Sequence, residues 1–381
     1  MTFRLLHFSD LHLDHPFRGP DHVPGQSAAR REGLRQCLQR ALALARIRQV
    51  DAITIGGDLY DAEFVSPDTA LFLREQFAQM APLQVIIAPG DADPYTFDSP
   101  YACVDWSNNV YVFREPHLTS INLTDDVQLW GVAYDSPGFE RALLNKFRAA
   151  QVKTAVLLVH GTEDSLRLST QPAGIPFAVA DVYRANFQLA LAGHVHAGAL
   201  IPTVNPLVCY PGSPEPLGFD EESGHSVLVA EWDARRWSVE AVDLSHWQCY
   251  TLVLNVGEFA TQDAMVARIR AQLRAARVEG KQLVARVSLR GTASAALYFD
   301  PDEMLDQLGG EFPALRVDSD VRVGYDVDGL KDELTLRGAF VRRMLAKQAE
   351  WQQSDGTGAQ PLFDKTLRYG LYALEGRKVT P

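Results

Sequence analysis

Along this chain, apolar runs of strand length alternate with longer amphipathic stretches, and polar residues collect where the apolar runs stop. The first run, Leu5-Leu6-His7-Phe8, ends in Ser9-Asp10-Leu11-His12. Residues 27–50 then read as a helix, because Leu34, Leu38, Ala41, Leu42 and Ala45 fall on one stripe of a 3.6-residue period. The other face carries Arg30, Arg31, Arg35, Arg40, Arg46 and Arg48, which are expected to be solvated. Residues 51–55 form a buried-type strand ending at Gly56-Gly57-Asp58. Ser66 supplies an N-cap and Pro67 a first helical residue for a helix reaching Met80. A strand at 85–87 ends at Pro89-Gly90-Asp91-Ala92-Asp93.

The alternation continues with strands at 110–113 and 127–132, a helix at 138–150, and strands at 154–159 and 189–192. The last two run into His160-Gly161 and Gly193-His194-Val195-His196. From 208 to 243 only short strands and turns follow. Such a pattern predicts an α/β protein with two packed sheets and helices outside, over residues 1–246. A smaller unit at 247–328 reads as β-α-β-α-β. Its first helix, 262–277, bears a basic cluster of Arg268, Arg270, Arg274 and Arg277. Residues 329–381 are helix-like, with a linker at 354–360. The tail carries Leu362, Phe363, Leu367, Tyr369, Leu371, Tyr372 and Leu374. That is too apolar for a loose terminus, so it is expected to dock on its own domain or on a partner.

Composition narrows the class. The 381 residues are 46% hydrophobic and 22% charged, with room for two or three domains. Cys37, Cys103, Cys209 and Cys249 are widely spaced, which argues against a disulfide framework or a zinc knuckle and fits a reducing cytosol. His7 and Asp10 interrupt what would be a signal-peptide core, and no run approaches a membrane span, so a cytoplasmic location is expected. The net charge of -12 counts against a protein that grips nucleic acid unaided, although bound cations or a partner can supply positive charge.

The candidate chemistry lies in the polar endings. Asp10, His12, Asp58, Asp91, His160, His194 and His196 are oxygen and nitrogen donors with no thiolate among them. They suit two borderline-hard divalent ions such as manganese, iron or zinc, with manganese the expected pair. Asp10 and His12, two apart on a strand, are expected to point the same way. Two ions side by side clamp an in-line phosphoryl displacement, and Asp58 is the candidate bridging carboxylate.

In this order the motifs resemble those of the calcineurin-like metallophosphoesterases: D-x-H, G-D-x-x-D, G-N-H-D, a lone H and G-H-x-H. Here they read Asp10-Leu11-His12, Gly57-Asp58-Leu59-Tyr60-Asp61, Gly90-Asp91-Ala92-Asp93, His160 and Gly193-His194-Val195-His196. More narrowly, the chain is similar to SbcD-type DNA repair exonucleases of the YhaO-like branch. Pro16-Phe17, Tyr210-Pro211-Gly212-Ser213, Glu222-Ser223-Gly224 and Leu336-Arg337-Gly338-Ala339-Phe340-Val341 carry that likeness. The resemblance implies a four-layer αββα sandwich with a smaller α+β capping domain. It implies Asp10, His12, Asp58 and His196 around one ion, and Asp58, Asp91, His160 and His194 around the other. It also implies nuclease action on DNA ends, a homodimer, and an SMC-like coiled-coil ATPase partner engaging the C-terminal helices, with no membrane role.

One position departs from the family. Asp91 can still offer an oxygen to a metal, but Ala92 stands where the family has the histidine that assists the phosphate transition state. General acid–base help is worth about 10²–10⁴-fold, so slow chemistry at an assembled site is expected. His15 and His117 are the loose candidates to replace it. Two alternatives accompany the nuclease reading: a catalytically weak scaffold that regulates the ATPase, and a small-nucleotide phosphodiesterase.

Overall fold

The structure is a computed structural model that describes residues 2–19, 22–136, 142–149, 154–167, 174–294, 297–354 and 359–376. Contacts divide the chain into two compact units, Met1–Tyr250 with Arg277–Ala285, and Thr251–Ala276 with Arg286–Pro381.

In the first unit, β1 (Phe3–Phe8), α1 (Ser27–Ile47), β2 (Ala52–Ile55), α2 (Pro67–Ala78), β3 (Gln84–Ile87), the short α3 (Pro100–Cys103) and β4 (Val110–Val112) open the chain. Then come β5 (Thr119–Asn122), β6 (Val127–Gly131), β7 (Thr154–Glu163), β8 (Ile175–Phe177), α4 (Val179–Arg184) and β9 (Leu189–Gly193). Four further strands follow: β10 (Ala199–Ile201), β11 (Val208–Tyr210), β12 (Val227–Trp232) and β13 (Trp237–Val242). One sheet has the order β13-β12-β1-β2-β3-β4 and the other β10-β11-β9-β7-β6-β5, with β8 paired to β7. Strands β1 to β4 are parallel, and β12 returns antiparallel beside β1.

Strand alternation assigns the layers. Leu5 faces the core between the sheets with Ile86, Leu129, Val156 and Leu191, whereas Leu6 faces an outer core with Leu34, Leu38, Ile53 and Phe77. A third core packs Val159 and Ala190 against Phe177, Val182 and Phe187. The first unit is thus the expected helix–sheet–sheet–helix sandwich of an α/β protein. α1 starts where the stripe predicts and ends at Ile47, and Gln49, two residues on, turns the chain with a left-handed φ of 51°. Ser66 caps α2, its hydroxyl accepting the Thr69 N–H at 3.2 Å.

Three expectations need correction. Arg30 is not solvated: it is buried, donates to the Pro216 carbonyl, and lies 4.6 Å over the Phe17 ring. Arg40 is likewise half-buried and tied to Glu215 at 2.6 Å. Of the predicted helix at 138–150, the described residues 142–149 are turns, and the rest lies outside the described residues. The apolar spacing there serves packing instead: the Phe147 ring lies 5.0 Å from Trp130 and 5.9 Å from Phe187. Finally, the predicted linker at 354–360 begins inside a helix, and 355–358 lie outside the described residues.

A third sheet has the order β14-β15-β16, from β14 (Trp247–Asn255), β15 (Gln282–Ser294) and β16 (Leu315–Gly324); the second unit holds β14 from Thr251, β15 from Arg286 and all of β16, with α5 (Gln262–Ala276) and α6 (Pro301–Gly309). Helices α7 (Val327–Asp332), α8 (Leu336–Ser354) and α9 (Ala359–Leu374) follow. The apolar tail docks within its own unit: Phe363, Leu367 and Leu371 pack on Leu330, Val341 and Met344. The basic cluster of α5 is partly neutralised, since Arg274 and Arg270 both reach Glu311, at 2.5 and 3.5 Å. No helix among the described residues is long and apolar enough to cross a membrane.

His7, in the middle of β1, is fully buried beside Thr54 Oγ1 at 3.1 Å and the Ala192 carbonyl at 3.4 Å. Burial lowers its imidazole from the ordinary 6.5 to about 4. The unfolded chain therefore binds a proton here that the folded chain refuses between those values. Stability is complete above pH 6.5 and declines as pH falls toward 4, by about 3 kcal/mol from this group. Urea unfolding of the metal-free protein at pH 7 and pH 4.5 should show a smaller loss in His7→Leu than in wild type.

Candidate metal centre

The polar motifs meet where β1, β2, β3 and β9 finish, as expected for an open α/β sheet. The means differs from simple strand alternation. β1 stops at Phe8, and Asp10 and His12 sit beyond it with left-handed φ of 55° and 49°. Asp58 (φ 52°) and His194 (φ 90°) share that conformation, which disfavours L-residues and costs about 1–3 kcal/mol each. Hydrogen bonds between the two loops hold it: Asp10 N–H to the Gly57 carbonyl (3.0 Å), His12 N–H to Asp58 (2.9 Å) and Leu13 N–H to Leu59 (3.0 Å). His160 is not at a strand end either. It lies within β7, opposite Gly193 of β9.

The seven predicted donors converge. Ligand atoms of Asp10, His12 and His196 lie within 4.8 Å of one another, as do those of Asp91, His160 and His194. Asp58 stands between the trios, with Oδ2 3.5 Å from His12 Nε2 and Oδ1 3.4 Å from His160 Nε2. On one side, Asp91 Oδ1 is 2.8 Å from His160 Nε2 and 3.0 Å from His194 Nδ1. On the other, Asp10 accepts the Ser9 hydroxyl (2.5 Å) and the His194 N–H (2.9 Å), with His196 Nε2 3.8 Å away.

Charge is strongly coupled here. Burial opposes ionisation of His12, yet its hydrogen bond to Asp61 and the charges of Asp58, Asp61 and Asp10 hold it at about 10. Burial likewise opposes a charged His160, and Asp58 and Asp91 raise it well above its ordinary value. Burial raises the Asp91 carboxyl, but His160 and His194 bring it below the usual range. Imidazolium protons thus occupy the positions a cation would take, so metal uptake releases protons.

The donor set fits divalent ions. His12 Nε2 is buried with no hydrogen-bond partner among the described residues, while its Nδ1–H donates to Asp61 at 2.5 Å. Asp61 thereby orients the ring with Nε2 toward the cluster, where loss of its proton would free a lone pair for a metal. The Gly56 carbonyl does the same for His160 Nδ1 (2.8 Å), and Glu221 for His196 Nδ1 (2.6 Å). Glycines permit the crowding: a Cβ at Gly57, φ +92°, would lie 2.5 Å from His160 Nδ1 and 2.9 Å from Gly90 Cα.

Asp61 and Asp93 stand within the sequence motifs without a role assigned above, and Glu221 lies outside all of them. Asp93 is buried and accepts the N–H groups of Asp58 (2.9 Å), Leu59 (2.7 Å) and Gly90 (2.6 Å) and the Tyr101 hydroxyl (2.5 Å). Glu221 lies on a loop 25 residues from His196, and no spacing marks it. Of the suggested substitutes for the absent histidine, His15 is tied to Asp61 at 2.9 Å, and His117 is exposed and away from the site. Neither lines the cavity of about 510 Å³ beside the cluster; Ala92, Thr162 and Arg167 do.

Asp61→Ala and Glu221→Ala should each weaken manganese binding about 10–100-fold while leaving the fold intact, because they free the ligating rings to turn. Isothermal titration with manganese reads this directly.

Residues 3–198 match the model of the family described as calcineurin-like phosphoesterase. The chain is similar to a relative from Bacillus subtilis (strain 168) described as "Uncharacterized metallophosphoesterase YhaO". The two are 24% identical over 318 residues, covering 81% of this chain and 76% of that one. Among solved structures it is similar to a dimetal phosphatase from Danio rerio at 11% identity and a TM-score of 0.41, covering 63% of this chain and 95% of that one. It is also similar to the protein TT1561 of Thermus thermophilus at 15% identity and a TM-score of 0.36, covering 63% and 99%. Matching more than half of its length to the family model, and bearing this donor cluster, the chain belongs to the calcineurin-like phosphoesterases, metal-dependent hydrolases.

Proposed function

We propose that this protein is the nuclease-type subunit of a DNA end-processing complex. Its centre would hold two manganese ions, one by Asp10, His12, Asp58 and His196, the other by Asp58, Asp91, His160 and His194. The observation that carries this reading is Asp58 set between two trios of donors, one carboxylate oxygen toward each. When bound, such a pair supplies Lewis acidity to a phosphodiester and acidifies the attacking water. The chain's own residues set the geometry. Asp61, Glu221 and the Gly56 carbonyl fix the imidazole tautomers, and Arg167 brings a guanidinium to the cavity where phosphate charge would collect.

DNA as substrate rests on the likeness to SbcD-type exonucleases and on the second unit, which a phosphoesterase of small nucleotides does not need. The same likeness supports a homodimer and a coiled-coil ATPase partner. The partner would meet α8 and α9, near which Leu334 and Leu336 are 100% and 72% exposed. A second reading, an attenuated subunit that regulates the ATPase, is favoured by Ala92. Its backbone N–H donates to Asp58 Oδ1 at 2.9 Å, so the loop keeps the cluster in shape while its methyl group offers no proton to a leaving oxygen.

Manganese-dependent cleavage of linear and hairpin-ended DNA separates the two readings. Ala92→His should raise cleavage by about 10²-fold or more. Wild-type cleavage that Ala92→His does not increase would mean that another group already donates the proton. A silent wild type with an active Ala92→His would favour the regulatory reading. No cleavage by either, with metal bound, would remove DNA as the substrate.

A further inference from the structure

A second cavity, of about 980 Å³, opens at the other end of the first unit. Trp232 in its wall pairs with Phe3 at the start of β1, and Gln188 precedes β9, so the cavity lies at the strand ends away from the metal motifs. Gln188 and His194 are six steps apart along the chain, about 20 Å when extended. Its lining includes four arginines, Arg148, Arg184, Arg235 and Arg236, and no carboxylate among the described residues. In a chain of net charge -12 that is a strong local inversion, and such a patch raises the local concentration of anions.

The arginines are available. All four are exposed. Arg184 is shared with Asp181 at 3.1 Å, and Arg148 donates to the Phe147 carbonyl at 2.7 Å. Arg235 and Arg236 make no salt bridge among the described residues. Asp233 Oδ1 accepts their backbone N–H groups (2.8 and 2.9 Å) and so shapes the tight β12–β13 turn that carries them. The lining also carries aromatic rings, of which Tyr183 is exposed and Trp232 and Trp237 are buried. Tyr183 is 78% exposed, with no core to fill, and Trp232 and Trp237 stand 5.6 Å apart beneath the turn. Trp237 is anchored from behind, its Nε1–H donating to Thr154 Oγ1 at 3.0 Å.

Guanidiniums grip phosphate with planar forks, and an exposed aromatic ring stacks on a base. We infer that this cavity is a second binding site, taking a nucleotide, free or within a single strand, through its phosphate and its base together. It is separate from the metal centre and does not depend on the function proposed for that centre.

The test uses the full chain at low salt in EDTA, so that no metal-bridged binding contributes. The probes are thymidine monophosphate, followed by tryptophan fluorescence, a fluorescein-labelled oligothymidylate, followed by anisotropy, and inorganic phosphate as competitor. Wild type should bind saturably. The double variant Arg235→Glu/Arg236→Glu should bind at least about tenfold more weakly, and Tyr183→Ala at least about fivefold more weakly. All three positions are exposed, and circular dichroism checks that the variants are folded. Binding of the monophosphate alone identifies a free nucleotide as the ligand, and binding of the oligomer alone or of both identifies a strand; each supports the inference. No binding of either probe, equal binding by wild type and the double variant, or displacement by inorganic phosphate at the nucleotide's own concentration would overturn it.

Discussion

Asp58→Ala is expected to lower phosphodiester hydrolysis by about 10³-fold or more and to halve the number of bound divalent ions. Asp58 faces His12 with one oxygen and His160 with the other, at 3.5 and 3.4 Å, so it joins the two halves of the cluster. A metal pair contributes several kcal/mol of charge stabilisation to phosphoryl transfer, and 1.36 kcal/mol is tenfold in rate. The backbone of Asp58 is in the left-handed region, which alanine tolerates no better, so some stability loss accompanies the change. Asp58→Asn keeps the shape and local hydrogen bonding with one charge fewer. Comparing the two by hydrolysis of a chromogenic phosphodiester separates the bridging role from the structural one. Activity in Asp58→Ala within tenfold of wild type would rule out a bridging role.

The largest loss of stability is expected at Asp93→Ala. This carboxylate is buried and receives three backbone N–H groups and the Tyr101 hydroxyl, joining the loop at 57–59 to the loop at 90–93. Removing it strands those donors away from water, at about 1–3 kcal/mol each before relaxation. A net cost of about 3–5 kcal/mol follows, or about 10 °C in the melting temperature of a unit this size. Metal affinity should fall as well, because Asp58 and Asp91 flank the same hydrogen bonds. Thermal unfolding in EDTA, without the stabilising contribution of bound metal, reads the structural share alone. A melting temperature lowered by less than 2 °C would show that water satisfies the stranded donors.

Much of this was legible in the residues. Continuous apolar runs such as 52–55 and 154–159 predict strands buried on both faces, and they are. The N-cap and proline at Ser66-Pro67 locate the start of α2 because those residues act locally. The donors could be gathered because every motif but His160, which lies within β7, stands just beyond the end of a strand. What periodicity could not give was the reason that Asp10 and His12 converge. They leave the strand and take left-handed conformations held by a neighbouring loop, a tertiary effect with no local signal. Arg30 read as solvated because a helix face does not reveal that Phe17, Pro216 and Trp247 will close over it. The turns at 142–149 imitate a helical stripe because packing against Phe187 needs the same apolar residues at similar spacing. Glu221 was invisible for a related reason, since a loop carboxylate reaches His196 only once the fold brings it there.

We propose that seven side chains, six on four motif loops and His160 on β7, form one site for two ions. The most direct test is the metal content of the purified chain, reconstituted with manganese, freed of excess, and measured by inductively coupled plasma mass spectrometry. Two manganese ions per chain are expected in wild type and at most one in Asp58→Ala. One ion or none in wild type, with the chain folded, would contradict it.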